Sequence, residues 1–68
     1  MPPRVREAIR IIERDGWFHA RTPGNHRQYH HPEKPGTVTI SGNLGAELDT
    51  RKWYSILQQA GMDRRDYR

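Results

Sequence analysis

The run Trp17-Phe18-His19-Ala20-Arg21-Thr22, Pro23-Gly24-Asn25, His26-Arg27-Gln28-Tyr29-His30-His31, Pro32-Glu33-Lys34-Pro35-Gly36, Thr37-Val38-Thr39-Ile40-Ser41 decides the fold. Segments rich in aromatic and β-branched residues alternate with clusters of turn formers, which is the pattern of three consecutive strands with tight connections. Tyr29, Val38 and Ile40 are the natural inward residues of the second and third segments, and Phe18 and Ala20 those of the first. Placing Ala20 opposite Tyr29 leaves a four-residue loop, Pro23 to His26, and gathers Arg21, Gln28 and His30 on the outward face. Thr39 and His19 join them in this register, with His26 at the hairpin tip beside them.

Working outward, Val5, Ala8, Ile9 and Ile12 recur at helical spacing between charged residues, so Pro3 to Asp15 reads as an amphipathic helix. Pro3 suits its first turn and Gly16 its stop. Beyond the strands, Gly42 to Leu48 reads as a loop, and Asp49 or Thr50 can cap a second helix with Trp53, Ile56, Leu57 and Ala60 on one face, ended by Gly61. The tail Asp63-Arg64-Arg65-Asp66-Tyr67-Arg68 has no apolar period and reads as flexible. The expectation is a single domain over residues 1–62 with a tail at 63–68. Its class is α+β in the order α-β-β-β-α: a three-stranded antiparallel sheet with two helices on one face and water on the other. Trp17, Phe18 and Trp53 read as core residues, and the buried set is expected to include Ile9, Ile12, Tyr29, Val38, Ile40, Ile56 and Leu57.

A chain of 68 residues buries only about 60% of its unfolded surface, so the core is small. Without Cys it has neither disulfide nor thiolate metal site, which suits a reducing compartment and points to the cytoplasm. No apolar run approaches the length of a membrane span, and Met1-Pro2-Pro3-Arg4 leads into an amphipathic pattern, not a signal-peptide one. Lys and Arg number 12 against 8 Asp and Glu, a formal charge of +4, and this balance favours a polyanionic partner. Arg4, Arg6, Arg10, Arg14, Arg51 and Lys52 offer phosphate contacts without sequence readout.

Several stretches resemble the HicA-type mRNA interferases of bacterial toxin–antitoxin systems: Gly16-Trp17-Phe18, Arg21 through Tyr29, His31-Pro32, Gly36-Thr37-Val38-Thr39-Ile40, and Ser55-Ile56-Leu57-Gln58-Gln59-Ala60-Gly61. The most specific elements are the Gly-x-His turn before an aromatic-containing strand and the closing Ile-Leu-x-Gln-Ala-Gly helix end. The resemblance implies a double-stranded-RNA-binding-domain-like fold, metal-independent cleavage of messenger RNA, and a HicB-type antitoxin that covers the active site. No cofactor, membrane partner or small-molecule substrate is expected. The catalytic His of the family's Gly-Ser/Thr-His motif falls on His26. Asn25 stands where Ser or Thr is usual, Ser41-Gly42-Asn43 lacks the Pro and second His of many members, and Arg51-Lys52-Trp53 replaces a common Gly-Thr-Leu.

The chemistry fits that position. Metal-free RNA cleavage needs a base for the 2′-hydroxyl, an acid for the leaving oxygen and cations for the developing phosphate charge. Imidazole, with an ordinary pKa of about 6.5, supplies either proton-transfer form near neutrality. Arg21, Gly24, Asn25, Arg27, Gln28 and His30 are the expected RNA-contacting residues around catalytic His26. No metal is expected: His26 and His30 lie about 13 Å apart at roughly 3.3 Å per strand residue, too far to share an ion. The competing readings are a non-catalytic double-stranded-RNA-binding module and an interaction protein whose basic face docks an acidic partner.

Overall fold

The computed structural model describes residues 2–66 of the chain. Helix α1 spans Val5–Arg14, strands β1, β2 and β3 span Phe18–Arg21, His26–His30 and Val38–Ser41, helix α2 spans Thr50–Gln59, and a short 3-10 turn follows at Arg64–Asp66. The order is α-β-β-β-α, with an antiparallel sheet β1-β2-β3. The expected tail extends to Tyr67 and Arg68, which lie outside the described residues.

Both helices end alike. At α1, Trp17 N–H donates to Ile12 C=O at 3.1 Å and Gly16 N–H to Glu13 C=O at 3.0 Å. At α2, Met62 N–H donates to Leu57 C=O at 2.9 Å and Gly61 N–H to Gln58 C=O at 3.1 Å. These are Schellman closures, which satisfy carbonyls that a helix end otherwise leaves unpaired. Gly16 and Gly61 have φ of 106° and 66°, so both glycines hold the positive φ that such a stop requires. At the start of α2, the Asp49 carboxylate accepts from Lys52 N–H at 2.7 Å, the cap expected from the sequence.

The start of α1 differs from expectation. Pro3 lies outside the helix, and its carbonyl accepts from Leu48 N–H at 3.3 Å. Val5 and Arg6 N–H donate to the carbonyls of Ala46 and Leu44 at 2.9 and 3.0 Å, while Glu7 reaches back to Arg4 N–H at 3.0 Å. The helix donors that need outside partners therefore find them in the loop before α2. This pairing fixes the path of residues 42–48.

The core joins Val5, Ala8 and Ile12 of α1 to Tyr29, Val38 and Ile40 of the sheet and to Trp53, Ile56, Leu57 and Ala60 of α2, with Trp17 and Leu48 at its margins. Ile9, expected inside, is half-buried against this cluster because the buried face of α1 runs along Val5, Ala8 and Ile12.

Strand β1 requires a larger correction. Arg21 pairs with Gln28 in the register expected, but a bulge between His19 and Arg21 shifts what precedes it, so His19 faces Tyr29 and Phe18 faces His30. The extra residue, Ala20, inverts the side-chain alternation of the strand's first half. Phe18 is thus 51% exposed, Ala20 is exposed, and His19 leaves the outward face on which the sequence reading had put it. Both helices pack on β3, and every residue of β1 is exposed.

Candidate active site at the hairpin tip

His26 opens β2 directly after the turn, and its N–H donates to Pro23 C=O at 3.1 Å. Gly24 holds this turn at φ 58°, and a side chain there would meet nothing within 4 Å, so its backbone conformation, not crowding, favours glycine. Across the sheet His26 pairs with Ser41, Gln28 with Thr39, and Tyr29 with Val38. Strand alternation then puts His26, Gln28 and His30 on the outward face with Ser41 and Thr39. Arg21 and Phe18, paired with Gln28 and His30, complete that face on β1.

A polar depression of about 460 Å³ opens at this tip, lined by Thr22, Gly24, Asn25, His26, Arg27, Ser41, Gly42 and Asn43. Four expected site residues, Gly24, Asn25, His26 and Arg27, meet here. Arg21, Gln28 and His30 lie beyond it along the outward face. Arg27 alternates to the helix side, half-buried, and donates from Nη1 to Gly42 C=O at 2.7 Å. That bond fastens the hairpin tip to the loop after β3, which α1 holds from its other end.

Thr22, Ser41 and Asn43 were not singled out by sequence reasoning. Ser41 was within reach of it: Tyr29 and Val38 both read as inward, and pairing them places Ser41 opposite His26. Thr22 lies in the same connection as Gly24 and Asn25, whereas Asn43 carried no such signal, since its approach depends on two loops meeting.

The other histidines have different surroundings. His31 Nε2 lies 2.6 Å from Asp15 C=O, and its Nδ1 accepts from the N–H groups of Glu33 and Lys34, each at 3.0 Å. This set requires the proton on Nε2 and commits the ring to joining α1 to the β2–β3 connection. His19 Nε2 is 2.5 Å from Thr22 Oγ1, and its ring meets Tyr29 edge-on at 5.6 Å. His30 neighbours Phe18, with ring centroids 6.4 Å apart. Among the described residues, none hydrogen-bonds the exposed His26 ring, so both its nitrogens are open to a ligand.

The neighbouring electrostatics are cationic. No carboxylate lines the depression. Behind it, burial raises the Tyr29 phenol above its ordinary pKa, Glu13 pushes in the same direction, and Arg27 opposes them. Among the described residues, no group of three or more His, Cys, Asp or Glu side chains could hold a metal ion. A larger hollow of about 640 Å³ lies between α2 and the C-terminal turn, where Arg64 sits over the Tyr54 ring at 5.1 Å. It contains no imidazole and lacks the proton-transfer group that distinguishes the hairpin tip.

Fold and site together define a small basic α+β domain with an open imidazole on a glycine turn beside a carboxylate-free depression. The sequence model of the HicA toxin of bacterial toxin–antitoxin systems matches residues 5–62, and the chain belongs to that family. No curated protein matches it. Among the described residues, no helix is long and apolar enough to cross a membrane.

Proposed function

We propose that this toxin is an endoribonuclease that cuts messenger RNA in the cytoplasm without a metal, with His26 as the catalytic residue. The observation that carries the reading is the open His26 ring at the lip of a depression that contains no carboxylate. A phosphodiester seated there meets Asn25 and the backbone of the Gly24 turn, both able to donate hydrogen bonds to phosphate oxygens. Arg21 supplies positive charge from the adjoining face, and Arg27 holds the two loops in place.

His26 accepts the proton of the 2′-hydroxyl as its oxygen bonds to phosphorus. The bond from phosphorus to the 5′-oxygen breaks, that oxygen is protonated from solvent, and a cyclic phosphate remains on the upstream fragment. Catalysis then rests on one proton-transfer group and on donors placed where phosphate charge grows. A HicB-type antitoxin, acidic where it meets the basic outward face, covers His26 and keeps the toxin silent.

The test is cleavage of RNA in EDTA, with and without a 2′-deoxy sugar at the scissile position. The expected result is cutting of the intact strand alone. Equal cutting of both substrates would remove the 2′-hydroxyl mechanism, and growth unaffected by expression of the folded chain without its antitoxin would count against the toxic activity.

A further inference from the structure

Phe18 occupies an unusual position for a large apolar side chain in so small a domain. It is 51% exposed, on the outward face, and the Ala20 bulge is what turns it there. With the register unbroken, alternation would direct it toward the helix side of the sheet. Bulges commonly re-aim a side chain beside a functional site. Across the strand pair its ring lies 6.4 Å from that of His30, tilted by 44°, so two aromatic rings stand side by side on this face. Arg21, Gln28 and Thr39 lie further along the same face and supply hydrogen-bonding groups there.

We propose that Phe18 and His30 form a stacking platform for one unpaired base of the RNA strand, a subsite beside the His26 depression. This rests on the ribonuclease reading of that depression, which places the cut strand at the start of β2. From there His26 and His30 are about 13 Å apart at roughly 3.3 Å per residue, a reach of a few nucleotides. Bases offer a π-face to an exposed aromatic only when freed from a duplex, so the platform selects single-stranded or locally opened RNA. A protein partner would favour a contiguous apolar patch, whereas Phe18 shares its face with Arg21, Gln28 and His30 on a chain of net charge +4.

The experiment uses the full chain and a short single-stranded 2′-O-methyl RNA carrying 2-aminopurine, which has no free 2′-hydroxyl to be cut. Quenching of the fluorescent base reports stacking, and the titration gives affinity. Phe18→Ala should weaken single-strand binding about 5- to 150-fold and abolish the quench, the range expected for losing one stacked base. Phe18→Trp should restore both, and duplex RNA affinity should change less than about twofold. His30→Ala should weaken binding in the same direction, and unchanged thermal melting of each variant would show the fold intact.

Parent-like binding and quenching by Phe18→Ala would overturn the platform, as would equal losses on single-stranded and duplex RNA. Intact RNA binding with lost affinity for the antitoxin would overturn it too, making Phe18 a protein anchor. Phe18-dependent quenching in a chain that cuts no RNA would support the platform and sink the ribonuclease reading alone. Cutting that depends on His26 but binding indifferent to Phe18 would do the reverse.

Discussion

Replacing Gly16 with Ala tests how the sheet is fastened to α1. The residue has φ 106°, beyond the left-handed region that Asn tolerates, and a Cβ there would stand 2.6 Å from His31 Nε2. His31 cannot yield freely, because Asp15 C=O, Glu33 N–H and Lys34 N–H hold both its nitrogens, and its ring lies edge-on to Trp17 at 5.2 Å. The strained backbone costs about 1–3 kcal/mol, and displacing His31 adds about 0.5–1.5 kcal/mol for a lost hydrogen bond. A total of about 1.5–4.5 kcal/mol lowers the melting temperature of a domain this size by roughly 6–36 °C. Calorimetry on Gly16→Ala, His31→Ala and the double variant separates the two causes. If the contact with His31 matters, Gly16→Ala should be less damaging where His31 is already Ala. A fall under about 4 °C for Gly16→Ala, at a slope of 4–8 °C per kcal/mol, would refute the account.

The remaining predictions concern chemistry, charge and pH. His26→Ala should reduce RNA cleavage about 10²–10⁴-fold while the melting temperature stays within about 4 °C, since the exposed ring has no protein hydrogen bond to lose; undiminished cutting would remove His26 from catalysis. Arg21→Ala should slow the same assay without abolishing it, as expected of a residue that stabilises charge but moves no proton. Lys34 joins the carboxylate of Asp15 to Ala60 C=O at 2.5 and 3.1 Å, beside the C-termini of both helices. Lys34→Met should cost about 1 kcal/mol once partial exposure is allowed for, and an unchanged urea midpoint would contradict it. Burial and Glu13 raise the folded-state pKa of Tyr29, so its contribution is complete below about pH 10 and is lost as pH rises through the higher folded value. Tyr29→Phe should flatten that alkaline loss, and parallel stability curves for parent and variant would show that Tyr29 does not cause it.

Much of the fold was legible because local signals agreed with one another. The spacing of Val5, Ala8 and Ile12, the Gly16 and Gly61 stops, the Asp49 cap and the Val38 and Ile40 alternation each point to the element that forms. Such agreement between local preference and global packing is what allows a short chain to specify one structure. The start of α1 was less legible because its free N–H groups are satisfied by Leu44 and Ala46, about forty positions away in sequence. Pro3 permitted a helix start that the tertiary partners then moved.

The site divides along the same line. Gly24, Asn25 and His26 are contiguous, and a glycine turn leading into a strand shows in the sequence, so their gathering was legible. Ser41 follows from pairing Tyr29 with Val38 and Thr22 from its place in the same hairpin connection, but Asn43 belongs to a separate loop that Arg27 grips at Gly42 and α1 holds from its other end. Phe18 was misread for a sharper reason. Its hydrophobicity argued for burial, yet neither helix covers β1, so the strand's inner side gives an aromatic ring no more shelter than its outer side. Once the penalty for facing outward is that small, one extra residue at Ala20 suffices to choose the face. Composition cannot show which strand the helices leave bare, and on that strand hydrophobicity ceases to predict direction.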